Sequence, residues 1–239
     1  MIKIARNLTR AAVLVVAFVS LGALATGFSA SPVSFEFEPK DRADVITIVS
    51  NTAQQKAFEL VILRWKQLDG TDIYEPTDDF FVTPPSFQLG PNEARTVRLL
   101  RAQIADESDE ITYRLFVREI PLWQNHIKGQ MNLSIELSIP VFMKAAKPSP
   151  SALNVQISTA NEGTRKRLTL SNTGRTHGKV IQAQPLLRGE PTGKPLGING
   201  YALPGNSKSW EINSDQLEAA DGLLVTLSNG MSKTLPLSK

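Results

Sequence analysis

The chain contains no cysteine. That excludes disulfide stapling, thiolate catalysis and nearly every protein zinc arrangement. Histidine is almost as scarce: His126 and His177 stand in turn-like contexts, one in each half of the chain. No glycine-rich phosphate cradle is present, because Gly90, Gly174 and Gly205 are single turn glycines. Asp78-Asp79 and the acidic run Ala105–Glu110 lack the ligand spacing of a calcium loop and read as solvated acidic turns. No catalytic constellation, metal site, cofactor site or small-molecule substrate site emerges from these residues.

A lasting charge of one sign is also missing. The 26 Lys and Arg face 23 Asp and Glu, but three of the bases, Lys3, Arg6 and Arg10, open the chain ahead of an uncharged apolar run, Ala11–Ala25. That is the layout of a secretory signal peptide, with Ala23-x-Ala25 as the cleavage site and Ala30 as a later candidate. Residues 1–25 are therefore expected to be a leader and the remainder to be exported to the periplasm. The leader holds three bases and no acids, so beyond it 23 bases meet 23 acids. Nucleic-acid binding needs a positive field and is excluded.

The rest reads as short strands and turns. Val45–Asn51 is β-branched, Ala57–Gly70 ends on an Asp-Gly turn, and Pro84-Pro85 forbids a helix. A strand is expected over Ala94–Arg101, after the turn Gly90-Pro91-Asn92. The stretch Lys144–Ala152, KAAKPSPSA, has linker composition. Beyond it the pattern restarts: RLTLSNTG (Arg167–Gly174) echoes ITIVSNTA (Ile46–Ala53), and LPGNSKSWEI (Leu203–Ile212) echoes LGPNEARTVRL (Leu89–Leu99). Asn229-Gly230 suits a tight I′ hairpin turn, and only Asn213–Gly222 hints at a helical turn. The expected fold is all-β: two antiparallel β-sandwiches, residues 31–146 and 153–239, joined by a linker at 147–152.

One stretch is unusual. In MNLSIELSIP (Met131–Pro140), apolar and polar residues alternate over nine positions, a span of roughly 30 Å, half as long again as an ordinary strand. Of the tryptophans, Trp65 lies in a strand and suits a core, while Trp123 follows Pro121 and suits a surface. Exposed tryptophans would fit an exported adhesive or carbohydrate-binding immunoglobulin-like module, which is the alternative reading.

TPPSFQLGPNEARTVRLLR (Thr83–Arg101), YRLFVREIP (Tyr113–Pro121), the long alternating strand and IPVFMK (Ile139–Lys144) together resemble the PapD-like periplasmic pilus chaperones. The resemblance covers about residues 32–239. It implies two immunoglobulin-like domains meeting at an angle and no enzymatic activity. The partners it implies are pilus subunits, which borrow the chaperone's G strand, and an outer-membrane usher. Met131, Leu133 and Ile135 would enter the subunit, with Leu137 nearer the base of the cleft. The resemblance also implies an interdomain ion cluster of Glu119, Lys144 and Asp221. The family's carboxylate-gripping Lys falls at Pro140, and the first strand, Ser34–Lys40, has no Arg. Arg42 and Arg98 are the candidate substitutes.

Overall fold

A computed structural model describes residues 27–102, 108–122, 134–147, 150–160 and 165–237. Two β-sandwiches lie in succession along the chain. In the first, one sheet has the order β1 (Phe28–Ser31), β3 (Ala43–Ser50), β8 (Ala94–Arg101), β6 (Phe80–Thr83). The facing sheet runs β2 (Phe35–Phe37), β10 (Glu136–Met143), β9 (Ile111–Ile120), β4 (Lys56–Leu68), β5 (Thr71–Glu75), with β7 (Ser86–Leu89) also pairing β4. The second sandwich sets β11 (Leu153–Ala160), β12 (Arg165–Asn172) and β16 (Ser207–Asn213) against another sheet. That sheet is β14 (Glu190–Pro191), β13 (Gly178–Leu187), β17 (Gly222–Leu227) and β18 (Ser232–Pro236), with β15 (Gly200–Ala202) on β13.

Alternation builds each core. Along β3, Ile46 and Ile48 turn inward; along β8, Val97 and Leu99 do the same, all four without exposed surface. They meet Phe58, Leu60, Tyr113, Leu115 and Val141 from the facing sheet. The second core gathers Leu168, Leu170, Val180, Leu223 and Val225. With no disulfide available, this dry area must carry stability.

The echoed Ser-Asn-Thr motif has a structural reason in the second sandwich. Asn172 is buried, and its amide donates to the carbonyls of Thr176 and Ala202 while its oxygen accepts from the Gly174 and Ala152 N–H groups. A Cβ at Gly174 would lie 2.3 Å from the Ala152 nitrogen, so only glycine lets the incoming chain pass.

Local expectations fare unevenly. Asp69 and Gly70 both have positive φ, 51° and 77°, as a I′ turn needs. At the last hairpin only Gly230 does, with φ 83°, and Leu227 N–H bonds to the Met231 carbonyl. The loop there is one residue longer than a I′ turn, with glycine in the left-handed position. The helical hint resolves to a 3-10 turn at Ser214–Leu217. The first strand begins at Phe28 and pairs with β3, so the alternative cleavage site at Ala30 would cut a strand. The leader up to Ala25 lies outside the described residues.

Candidate functional site

The site grows from β10. Its register pairs Glu136 with Arg118 and Met143 with Ile111 of β9. Glu119 N–H donates to the Ile135 carbonyl and Lys144 N–H to the Phe37 carbonyl. Backbone groups of odd-numbered residues therefore serve β9, and those of even-numbered residues point to the opposite edge. On that edge β2 covers only Val141–Met143. From Glu136 to Pro140 the edge has no strand neighbour among the described residues. Pro140 loses nothing there, because its missing N–H would have pointed outward.

Side chains divide the strand the other way. Ile139, Val141 and Met143 are buried in the first core, and Leu137 packs half-buried against it. Ile135 is half-buried as well, its Cδ1 close to Gly27. Over the described residues the apolar row thus begins as this domain's own core and becomes half-exposed by Ile135. Leu137 is the half-buried step of the row between the core and Ile135. Met131 and Leu133 lie outside the described residues.

The even-numbered face of β10 meets the second sandwich. Phe142, 2 % exposed, joins Trp65, Leu203 and Tyr201 in a small apolar cluster between the domains. His177 stacks on Phe142 with ring centroids 3.7 Å apart, and Tyr201 meets Trp65 edge-on at 5.4 Å. Gln67 ties the domains through its amide, which donates to the Tyr201 carbonyl (2.8 Å) and accepts from Leu203 N–H (2.9 Å). Asp72 accepts from Trp65, Gln67 and, across the junction, Lys208. Burial alone would raise the Asp72 carboxyl, but these three bonds and the Lys208 charge outweigh it and hold the group below the ordinary carboxylate range.

The expected ion cluster does not assemble. Glu119 pairs with Lys56. Lys144 pairs with Glu38 (2.7 Å) and Glu36 (2.9 Å), whose hydrogen bonds push its ammonium above the usual lysine range. Asp221 accepts from Arg188 N–H within its own domain. The reason is register: Lys144 follows Met143 at the Ile111 end of β9, whereas Glu119 sits about 27 Å away at the other end. The buried acid at the junction is instead Glu110, just before β9. Its side chain is 2 % exposed and accepts from both His177 N–H (2.9 Å) and His177 Nδ1 (2.8 Å). Sequence reasoning read Glu110 as part of a solvated acidic turn. The available signal was that one strand carries a Glu at each end, and only the pairing direction says which end faces the other domain.

The candidate anchors also lie elsewhere. Arg98 is exposed on β8, in the opposite sheet, and Arg42 is exposed beside it, its carbonyl accepting from Arg101 N–H. Neither lines the cleft beside β10. That cleft, about 500 Å³, is walled by Trp65, Ser138, Pro140, Tyr201 and three cations, Arg114, Lys179 and Lys208.

Residues 27–149 match the family model described as "Pili and flagellar-assembly chaperone, PapD N-terminal domain". The chain belongs to that family. Pilus-assembly chaperones are not enzymes, in keeping with a site made of strand edge, aromatic rings and cations. No curated protein sequence matches the chain significantly. Among solved structures, it resembles a chain of the CsuC–CsuE chaperone–tip adhesion subunit pre-assembly complex from archaic chaperone-usher Csu pili of Acinetobacter baumannii. The identity is 18 %, with 87 % of this chain and 97 % of that one covered, at a TM-score of 0.66. The Salmonella enterica complex of SafA pilin with the SafB chaperone gives 15 % identity, coverage of 88 % and 96 %, and a TM-score of 0.60. The E. coli chaperone DraB gives 19 % identity, coverage of 90 % and 98 %, and a TM-score of 0.57. At these identities the likeness is one of fold, and it spans both sandwiches of this pilus-chaperone chain. Trp65 is buried and Trp210 packs against the second core, which removes two of the three rings that an exposed sugar-binding surface would need. Trp123 lies outside the described residues.

Proposed function

We propose that this chain is a periplasmic chaperone that binds immature pilus subunits through β10 and passes them to an outer-membrane usher. The observation that carries the reading is the half-paired strand. Over Glu136–Pro140, β10 has β9 on one side and, among the described residues, no strand on the other, while its apolar row continues toward Ile135, Leu133 and Met131. An incomplete sheet in a partner can add to such an edge, main-chain bonds giving affinity and alternate apolar side chains giving fit. A row that is only half-buried at Leu137 and Ile135 can lend those side chains at little cost to the free protein. The chaperone–pilin complexes among the fold neighbours support the choice of partner.

The test is co-expression with pilus subunits encoded beside the chaperone, followed by co-purification. The expected result is a complex that survives Glu136→Ser and is lost with Ile135→Asp, since a carboxylate would be driven into an apolar groove. A complex that survives Ile135→Asp would overturn strand lending.

A further inference from the structure

The outward edge of β10 is divided between two kinds of neighbour. Toward its end, Lys144 N–H reaches the Phe37 carbonyl, and β2 pairs in parallel with Val141–Met143. Ahead of Phe35 the chain crosses to the other sheet, where β1 pairs with β3, so β2 goes no further along this edge. The outward backbone groups of Ser138 and Glu136 meet no strand among the described residues. Pro140 stands between the two stretches, buried in the cleft with Trp65, Tyr201 and the exposed Val33. It offers a carbonyl but no N–H, and its ring carbons fill the space where the hydrogen would lie.

Side chains alone do not choose a register for a strand added at this edge. Ile135 and Leu137, like Leu133 and Met131 before them in the sequence, are aliphatic residues of similar size at alternate positions. That spacing is the strand repeat itself, so a partner displaced by two residues meets the same face and nearly the same row. An added strand gains with every residue it pairs, and it advances along β10 until something stops it.

We propose that Pro140 is that stop: it ends the row of donors at Ser138 and so sets the register in which β10 holds its partner. This rests on the reading of β10 as the partner-binding edge. A partner two residues further on would set a carbonyl against the proline ring, find no donor, and run into Phe35 at the start of β2. Phe35 and Phe37 are each only 1 % exposed in the first core, so β2 is held in place. A partner two residues further back would leave the Ser138 N–H unpaired and the half-buried Leu137 uncovered. Only one register avoids both losses.

The test uses the isotope-labelled full chain, free and in complex with a co-expressed pilus subunit encoded beside it. Hydrogen exchange reports the edge amides, and cross-strand nuclear Overhauser contacts name the subunit residues opposite them. In the native complex the Glu136 and Ser138 amides are expected to gain protection and to show a single set of contacts. Pro140→Ala restores an outward N–H and keeps every bond to β9. The amide introduced at position 140 is expected to exchange about tenfold more slowly in the complex than in the free protein, with a second set of contacts displaced by two subunit residues. Ser138→Pro combined with Pro140→Ala moves the stop and is expected to shift a single set of contacts by two residues the other way. Spin labels at Lys40→Cys and Lys194→Cys, exposed positions in a chain without native cysteine, follow the domain junction, whose distance distribution should be the same in every variant. Contacts unmoved by Pro140→Ala, contacts unmoved in the double variant, or a junction altered by Pro140→Ala would each overturn the proposal. Edge amides left unprotected in the native complex would sink strand lending and the stop with it, whereas protected amides with an unmoved register sink the stop alone.

Discussion

The two halves of β10 share one strand and one sequence pattern but have opposite surroundings. From Ile139 to Met143 every residue is buried: the odd-numbered side chains enter the first core and Phe142 enters the domain junction. From Glu136 to Ser138 the residues are exposed or half-buried, and one backbone edge is open. Coverage by β2 over only three residues, with the second domain packed on Phe142, makes the difference. A single strand can thus be anchored at one end and left available at the other, provided its neighbours are short.

The sharpest way to break this comparison is to place the same charge in the anchored half and just ahead of the open one. Val141→Asp puts an unpaired carboxylate into a site with no exposed surface, and a loss of about 4 kcal/mol or more should leave the chain largely unfolded by circular dichroism. Ile135→Asp should cost only about 1–2 kcal/mol, because that side chain is already half in water. Equal melting temperatures for the two variants would refute the division of the strand.

Phe142→Ala tests the anchored half from its other face. Removing the ring that packs on Trp65, Tyr201 and His177 should cost about 3 kcal/mol and broaden the interdomain distance distribution. At the junction's edge, Glu110→Gln keeps the shape but removes the charge that accepts two bonds from His177. A loss of about 1–3 kcal/mol with altered interdomain distances is expected. Lys144→Ala removes an exposed pair with Glu36 and Glu38 and should change stability by less than about 1 kcal/mol, with the domain geometry unaltered. A larger geometric change from Lys144→Ala than from Glu110→Gln would restore the cluster expected from sequence.

The smallest effect concerns acid. The Asp72 carboxyl is held below its ordinary value, so its contribution to domain docking is complete above the unfolded value of about 3.9 and fades as pH falls through the folded one. Interdomain distances should loosen in that acid window, and Asp72→Asn should remove the pH dependence. An unchanged acid response in Asp72→Asn would assign it to other carboxylates.

Much of the fold could be read from the chain because its signals are local. Alternation of Ile46 and Ile48 or of Val97 and Leu99 marks a half-buried strand wherever it occurs, and the strand expected at Ala94–Arg101 is β8 residue for residue. Asp69-Gly70 makes its turn for equally local reasons, since both residues tolerate positive φ. Pro140 suits an open edge for the same kind of local reason, since proline has no N–H to give a neighbour.

The junction was not legible, because it depends on which end of a strand meets the other domain. Glu110 and Glu119 bracket the same strand, and only the antiparallel register of β9 with β10 carries Glu110 to His177 and takes Glu119 away to Lys56. Arg114, Lys179 and Lys208 are ordinary strand cations in the sequence, far apart along the chain. Their meeting requires two separately folded sandwiches to dock through Gln67, Phe142 and Tyr201. Composition and periodicity report what each segment can bury. Tertiary packing alone decides which charges the buried surfaces bring face to face.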